Sequence, residues 1–236
     1  MYYFMYDDHN SKNKAILGQN EYERDICENC GAIHVKYKGV FNFRIMGKLY
    51  DYYSASGTFV ISETFLNVLK ENGFTGYEVG ETAPRFGTAT SEGEPITIKK
   101  YYRLKVTGRC GFVCDMNGDP APICRKCRSR IDLSGFVTKG FSFVPDAYDG
   151  SDIFAFEDMS NIPIVSEEIM KVLKKSKLTN LRFEPLEDQE YYYDKMSKEK
   201  ALRYLAEGKY FDERIEAWLK YGIITRKELA EYGINP

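Results

Sequence analysis

The chain has 236 residues, of which 43% are hydrophobic and 29% are charged, a composition typical of a globular protein that buries a core without disulfides. Its 33 basic and 35 acidic residues leave a net charge of −2, which argues against general attraction to nucleic acid or to anionic membranes. The apolar first six residues lack a basic leader, and no apolar run reaches the roughly 20 residues of a membrane span, so we expect a cytoplasmic protein.

The first part of the chain combines a cysteine pair with segments that predict strands. Cys27 and Cys30 form a Cys-x-x-Cys motif, and the segments 35–38 and 40–45 after it alternate at a period of two residues. Such alternation is typical of half-buried strands, and the abundance of Tyr and Phe also favours sheet. We therefore expect a first unit built mainly of strands that follow this cysteine pair.

A helix and a connecting segment come next. Ser62 is a suitable N-cap, and the residues after it are apolar at helical spacing. Residues 80–97 are rich in Gly, Pro, Thr and Ser and predict a loop. A predicted strand over residues 98–106 then leads into a segment that contains Cys110 and Cys114.

The next part of the chain repeats this order of features. Cys124 and Cys127 form another Cys-x-x-Cys motif, and Ser166 precedes a segment that closely matches the one after Ser62. A repeat of about 100 residues is too long for a solenoid unit and fits two homologous halves packed together. The sequence therefore predicts a duplicated unit with one cysteine pair in each copy.

This duplication sets the expected domain organisation. Residues 1–97 form the first unit with its connecting loop, residues 98–190 form the second unit, and residues 191–236 form a helical appendage. Because the units are related, Phe65 and Ile169, at matching positions of the two helices, should be buried alike.

The region around the end of the second unit has no counterpart in the first. Between Glu184 and Asp194 the sequence is acidic, rich in tyrosine and free of basic residues, so it suits the basic face of a partner protein. Ser197 and the pair Thr225 and Glu228 predict the caps of helices beyond it. The candidate partner-binding residues are Glu187, Asp188, Glu190, Tyr191, Tyr192, Tyr193 and Asp194.

Two different sets of four cysteines fit one tetrahedral metal site. Either set provides four thiolates, which suit a closed, structural zinc ion with no open position for water. One set is local to a hairpin, the other takes one pair from each copy of the repeat, and spacing alone does not choose between them. The local set is Cys110, Cys114, Cys124 and Cys127, and the long-range set is Cys27, Cys30, Cys124 and Cys127.

The sequence does not predict an enzyme. Its two histidines, His9 and His34, leave it poor in general bases, and it lacks the serine-hydrolase elbow and the phosphate-binding glycine loop followed by lysine. We therefore expect no catalytic residue, and we expect His34 to be an ordinary strand residue.

The cysteine motifs resemble those of the double-CXXCG motif family, bacterial proteins linked to immunity against self-delivered swarming-inhibition toxins. The resemblance rests on the motifs 27–31 and 124–127, and on the closing segment 152–183, which also looks like the end of a broader group of polymorphic-toxin immunity proteins. The second motif ends in Arg128 where the family has glycine, which leaves its loop geometry open.

This resemblance implies a fold, a metal site and a partner. It favours the long-range cysteine set, with Zn²⁺ as a structural ion. The expected fold is α+β, with two related units that each have an antiparallel sheet and one Ser-capped helix, joined by the zinc site and followed by a helical tail. It also implies a cytoplasmic, non-catalytic immunity protein whose partner is a cognate protein toxin, with no small-molecule substrate.

A nucleic-acid-binding or regulatory zinc ribbon is the alternative function. Basic residues cluster at the second cysteine pair and on the strand before it, although a net charge near zero makes solvated strand edges the simpler explanation. These residues are Lys99, Lys100, Arg103, Lys105, Arg125, Lys126, Arg128 and Arg130.

Overall fold

The protein has an α+β fold in which short, mainly antiparallel strands form several sheets and helices gather at the C-terminal end. This confirms the predicted fold class. No helix in the described part of the chain is long and apolar enough to cross a membrane. The computed structural model describes residues 1–8, 14–55, 57–88, 93–132, 134–191 and 196–234.

The strands are mostly two to six residues long. They are β1 (Tyr2–Tyr6), β2 (Ala15–Leu17), β3 (Tyr22–Ile26), β4 (Ile33–Tyr37), β5 (Phe41–Ile45), β6 (Tyr52–Ala55), β7 (Thr58–Ser62), β8 (Tyr77–Gly80), β9 (Thr82–Phe86), β10 (Glu94–Pro95), β11 (Tyr101–Val106), β12 (Gly108–Arg109), β13 (Thr138–Lys139), β14 (Ile153–Phe156), β15 (Met159–Ser166), β16 (Arg182–Pro185) and β17 (Glu190–Tyr191).

The helices are α1 (Glu63–Glu71), α2 (Glu167–Lys175), α3 (Lys198–Ala206), α4 (Asp212–Lys220) and α5 (Arg226–Glu231). Helices α1, α2, α3 and α5 begin at the predicted capping residues, whereas α4 begins after Phe211 and has no side-chain cap. The Oγ atoms of Ser62, Ser166 and Ser197 each accept a hydrogen bond from a backbone N–H of the first turn, and Thr225 and Glu228 form a capping box.

The prediction of a loop over residues 80–97 was wrong in part. Strand β9 lies within it and pairs in parallel with β5, with Phe43 opposite Pro84. Proline usually marks a break in a strand because it has no N–H to donate. Here the carbonyl of Pro84 still accepts a hydrogen bond from the N–H of Ile96 at 3.0 Å, which joins β9 to the segment after β10.

The two repeats exchange one strand each. The first repeat supplies the hairpin β6–β7, helix α1 and the returning strand β8, but β11 from the second repeat lies between β7 and β8. In the second repeat β1 from the first repeat lies in the same way between β15 and β16. The register is equivalent, because Tyr101 pairs with Ser62 and Tyr2 pairs with Ser166. Each of these sheets therefore needs both halves of the chain.

The equivalent helices α1 and α2 pack on one core that lies between the exchanged strands. Phe65 is 0% exposed and Ile169 is 4% exposed, which confirms that they are buried alike. Met5 of β1 and Leu104 of β11 contribute to the same core from equivalent positions. The domain boundaries stay a prediction, but this shared core joins the first two units.

Two equivalent Asp–Thr contacts cross between the repeats. The Oδ2 atom of Asp51 accepts hydrogen bonds from the N–H and the Oγ1 of Thr179, at 3.0 and 2.6 Å. The Oδ2 atom of Asp152 accepts from the N–H and the Oγ1 of Thr75, both at 2.8 Å. Each aspartate N–H donates back to the threonine Oγ1, so the aspartate and the threonine are joined by reciprocal hydrogen bonds.

Asp51 accepts further hydrogen bonds in addition to those from Thr179. Its Oδ1 atom accepts hydrogen bonds from Ser62 Oγ and from Lys99 Nζ, both at 2.7 Å, and the residue is 7% exposed. Burial alone would raise the pKa of Asp51, but the hydrogen bonds from Lys99, Thr179 and Ser62 outweigh it and lower the pKa from 3.8 to about 2.

We predict that Asp51→Asn lowers the free energy of unfolding by about 2 kcal/mol above pH 4. Because the folded-state pKa of Asp51 lies below its ordinary value, the ionised carboxylate stabilises the fold above pH 4. That stabilisation is lost as the pH falls from 4 through 2. Urea unfolding at a series of pH values measures both effects, and the variant should lose less stability in this window than the wild type.

Asp152→Asn is the matched control, because it removes the same charge from the equivalent but more exposed contact. It should lower the free energy of unfolding by less than about 1 kcal/mol. Equal losses in the two variants would contradict a special role for Asp51.

Candidate metal centre

Each Cys-x-x-Cys motif forms a tight turn with the same backbone hydrogen bonds. In the first, the N–H of Gly31 donates to the carbonyl of Cys27 at 2.8 Å. In the second, the N–H of Arg128 donates to the carbonyl of Cys124, also at 2.8 Å. The two turns therefore point their cysteines in the same way although their sequences differ.

Arg128 adopts the backbone conformation of the glycine that it replaces. Its φ angle is 61° and that of Gly31 is 73°, both in the left-handed region that favours glycine. The Arg128 side chain forms contacts that a glycine could not, with its Nη2 2.9 Å from Glu157 Oε2 and its guanidinium 4.7 Å from the centre of the Phe112 ring. The departure from the motif thus leaves the loop geometry intact.

Four cysteine sulfurs meet where the two turns face each other. The Sγ atoms of Cys27, Cys30, Cys124 and Cys127 all lie within 4.8 Å of one another. Cys27 and Cys124 are 3.9 Å apart and Cys30 and Cys127 are 3.4 Å apart, so both close contacts join one repeat to the other. A tetrahedral zinc site with bonds of about 2.3 Å has sulfur–sulfur edges of about 3.8 Å. The four cysteines could therefore hold a metal ion.

The surroundings of Cys124 favour a thiolate. Burial would raise its pKa, but hydrogen bonds from Asn29 Nδ2 and from the backbone N–H groups of Cys127 and Lys126 lower the pKa to about 7. At Cys30 burial has the larger effect, and the pKa of this thiol is raised. Metal binding requires deprotonated thiols, so donors aimed at the sulfur are a feature that fits a metal ligand.

The other two cysteines lie apart from this group. Cys110 packs in an aromatic core with Phe154 and Phe156, and the Cys114 thiol donates to the carbonyl of Phe112 at 3.6 Å. Burial raises the pKa of both thiols. The structure thus brings together the long-range set of cysteines and leaves the two members peculiar to the local set elsewhere.

Helix α4 of the C-terminal appendage docks directly on the cysteine turns. The buried Glu213 accepts hydrogen bonds from the backbone N–H of Arg125 at 2.7 Å and from Asn29 Nδ2 at 3.1 Å. Asn29 Nδ2 also lies 3.3 Å from Cys124 Sγ. Phe211 packs against Cys27 and Cys124 beside this contact. The sequence pattern did not identify Glu213, because a carboxylate in the first turn of a helix is common and says nothing about a distant partner.

His34 is a strand residue, as predicted. It lies on β4, and its Nε2 is 3.3 Å from Ser129 Oγ. His9 lies outside the described residues.

Three of the basic residues at the second cysteine pair already have acidic partners. Such pairing leaves less positive charge for a phosphate backbone and weakens the nucleic-acid-binding alternative. The ion pairs are Arg125–Glu216, Lys126–Glu28 and Arg128–Glu157.

The acidic tyrosine-rich run is described only in part. Glu187, Asp188 and Glu190 are exposed, and the Glu190 carboxylate lies 3.9 Å from Lys139 Nζ. The backbone of Tyr191 pairs with Thr138 in the short sheet β13–β17. The other predicted partner-binding residues, Tyr192, Tyr193 and Asp194, lie outside the described residues. A role in partner binding stays a prediction.

Comparison with known proteins identifies the family. The model of the family described as immunity protein 43 matches residues 43–199. The chain belongs to the immunity protein 43 family. The match contains helices α1 and α2 and the second cysteine pair, and begins after Cys30. An immunity-protein family was expected, whereas membership of the double-CXXCG family stays a prediction. No curated protein matches the chain.

We predict that Cys27→Ser abolishes metal binding by this immunity protein 43 family member. The substitution removes one of four sulfurs, so affinity should fall by more than the roughly 100-fold that loss of a supporting residue can cause. Metal content measured by mass spectrometry, with competition by a chromophoric chelator, gives the result. Cys110→Ser is the matched control and should keep one ion per chain. Loss of metal in Cys110→Ser, with retention in Cys27→Ser, would assign the site to the other set.

Proposed function

We propose that the protein binds a cognate bacterial toxin in the cytoplasm and neutralises it without catalysis. The observation that carries this proposal is the match of residues 43–199 to the immunity protein 43 family. An immunity protein protects the cell that makes the toxin. Its partner is therefore the toxin protein, and the two proteins form an inactive complex.

The polar cluster at Asp51 has a structural role in this proposal and is not a catalytic site. It brings a serine, a carboxylate and a lysine together, as some hydrolytic sites do. Ser62 is 0% exposed, however, and its Oγ accepts the N–H of Phe65 as the cap of α1. This serine cannot reach a substrate, and the cluster joins the two repeats.

In this proposal the four-cysteine group holds a structural Zn²⁺ ion. A zinc ion with four thiolate ligands has no open coordination position, so it stabilises the fold and does not activate water. Cys27 and Cys30 would hold it from the first repeat, and Cys124 and Cys127 from the second. The hydrogen bonds of Asn29 and Glu213 would place α4 against the same centre.

The exposed acidic residues Glu187, Asp188 and Glu190 are the proposed start of the toxin-binding surface. The adjoining tyrosines of the predicted set, residues 191–193, would add contact area. Tyrosine is enriched among residues that dominate binding energy, and clustered carboxylates steer a basic partner.

We predict that the protein restores growth to cells that express the toxin encoded next to its gene. Neutralisation by binding also requires a stable complex, which copurification of the two proteins and light scattering measure. A toxin from an unrelated system should still kill in the presence of this protein. Continued killing by the neighbouring toxin, despite soluble expression of the protein, would contradict the proposal.

A further inference from the structure

A cleft of about 360 Å³ opens on the surface of the second repeat, beside the acidic residues. Tyr2, Phe143 and Tyr148 form its walls, and Met116 and Glu187 are among the residues that line it. We name it the anchor cleft. Its size fits one or two large side chains, and its lining is mainly aromatic and apolar, as in pockets that hold ligands or anchor residues.

The walls of the anchor cleft are held in place before any partner arrives. The ring centres of Tyr2 and Phe143 are 5.2 Å apart, and those of Phe143 and Tyr148 are 5.7 Å apart. Tyr148 also packs on Phe154 at 4.7 Å and donates its hydroxyl to the carbonyl of Ser151 at 2.6 Å. A preformed cleft loses little conformational freedom on binding, which favours affinity.

The rim of the anchor cleft is apolar and open to solvent. Met116 is 55% exposed and Val144, beside the cleft residue Phe143, is 48% exposed. Methionine adapts its shape to different partners, and clusters of exposed apolar side chains mark interaction sites.

The side-chain charge around the anchor cleft is negative. Glu187 lines it, and Asp188, Asp115 and Asp146 directly follow or precede lining residues. No lysine or arginine is among the described lining residues. Among the described residues, no ion pair involves Glu187 or Asp188. Lys139 Nζ lies 3.9 Å from a carboxylate oxygen of Glu190, and Arg182 Nη1 lies 3.1 Å from one of Glu184.

We propose that the anchor cleft receives a large apolar side chain of the cognate toxin, while Glu187 and Asp188 bind a basic residue beside that side chain. This inference rests on the proposed function and adds the binding site and the chemistry of the toxin segment. A buried apolar anchor provides most of the affinity, and the carboxylates set the orientation and speed of association.

A second copy of this chain is a poorer occupant. The most exposed apolar side chain among the described residues, Ile98, is 86% exposed and is followed by two lysines, so it has the required composition. Lys99 is held by Asp51 at 2.7 Å, however, and Lys100 lies 3.6 Å from Glu63. These lysines are already paired within their own chain, which favours the toxin as the partner.

The test measures binding of the purified domain of the neighbouring toxin to four variants by calorimetry. Met116→Arg should weaken binding by at least about 30-fold, the loss expected at an interface centre. Glu187→Lys should weaken it by about 10-fold and reduce its dependence on salt. Two matched controls at exposed positions elsewhere, Ile98→Arg and Glu71→Lys, should stay within about twofold of the wild type. Circular dichroism checks that each variant is folded.

The outcomes separate this inference from the proposed function. If the wild type binds no toxin, the proposed function fails. If the wild type binds and Met116→Arg and Glu187→Lys bind equally well, the function stands and the anchor cleft is overturned. Self-association that Met116→Arg and Ile98→Arg both abolish would also overturn it, in favour of a second copy.

Hydrogen exchange of the wild type tests whether the toxin occupies the anchor cleft, without any substitution. Binding of the toxin domain should protect the backbone amides of residues 141–144, 146–148 and 186–188. Absence of protection there, in a complex that is otherwise formed, would overturn the anchor cleft.

Discussion

The reciprocal exchange of strands β1 and β11 is the constraint on which the rest of the structure depends. Each repeat forms a hairpin, a helix and a returning strand, but leaves a gap that only a strand of the other repeat fills. Unpaired backbone groups inside a sheet are costly, so neither sheet is complete without both halves of the chain. The exchange also places Met5 and Leu104 in one core, where α1 and α2 pack.

The candidate functional features follow from this exchange. Each exchanged strand leads along the chain to a cysteine turn, and the two turns meet as a group of four sulfurs. Tyr2 of the first repeat becomes a wall of the anchor cleft on the second. The Asp–Thr contacts cross between the repeats in the same symmetric way. A duplicated sequence has thus produced shared sites, and the two copies differ where a partner would bind.

Much of the local structure could be predicted from the sequence. The serine caps, the alternating burial of β5, and the equal burial of Phe65 and Ile169 all depend on residues close together in the chain or on the repeat itself. The predicted half-burial of β4 was wrong, because its Val35 is 47% exposed. Features that depend on distant residues could not be predicted. The strand exchange and the hydrogen bonds of Glu213 join segments with no shared pattern. Spacing alone did not choose the cysteine set, which only the family resemblance favoured.

Two local features could not be predicted from the sequence for other reasons. Strand β9 contains Pro84, which normally indicates a break, but the strand still pairs in parallel with β5, and the Pro84 carbonyl accepts a hydrogen bond from the N–H of Ile96. Arg128 carries a positive φ that sequence rules assign to glycine, and its contacts with Glu157 and Phe112 accompany this unusual conformation. In both cases tertiary contacts outweigh a local preference.

The most direct test of the interlocked repeats is to divide the chain between Thr97 and Ile98 and to record amide NMR spectra of the two fragments in the presence of zinc. Strand exchange requires that neither fragment folds alone, and that mixing them yields a folded 1:1 complex with dispersed signals and one bound ion. A dispersed spectrum from either fragment by itself would contradict the account.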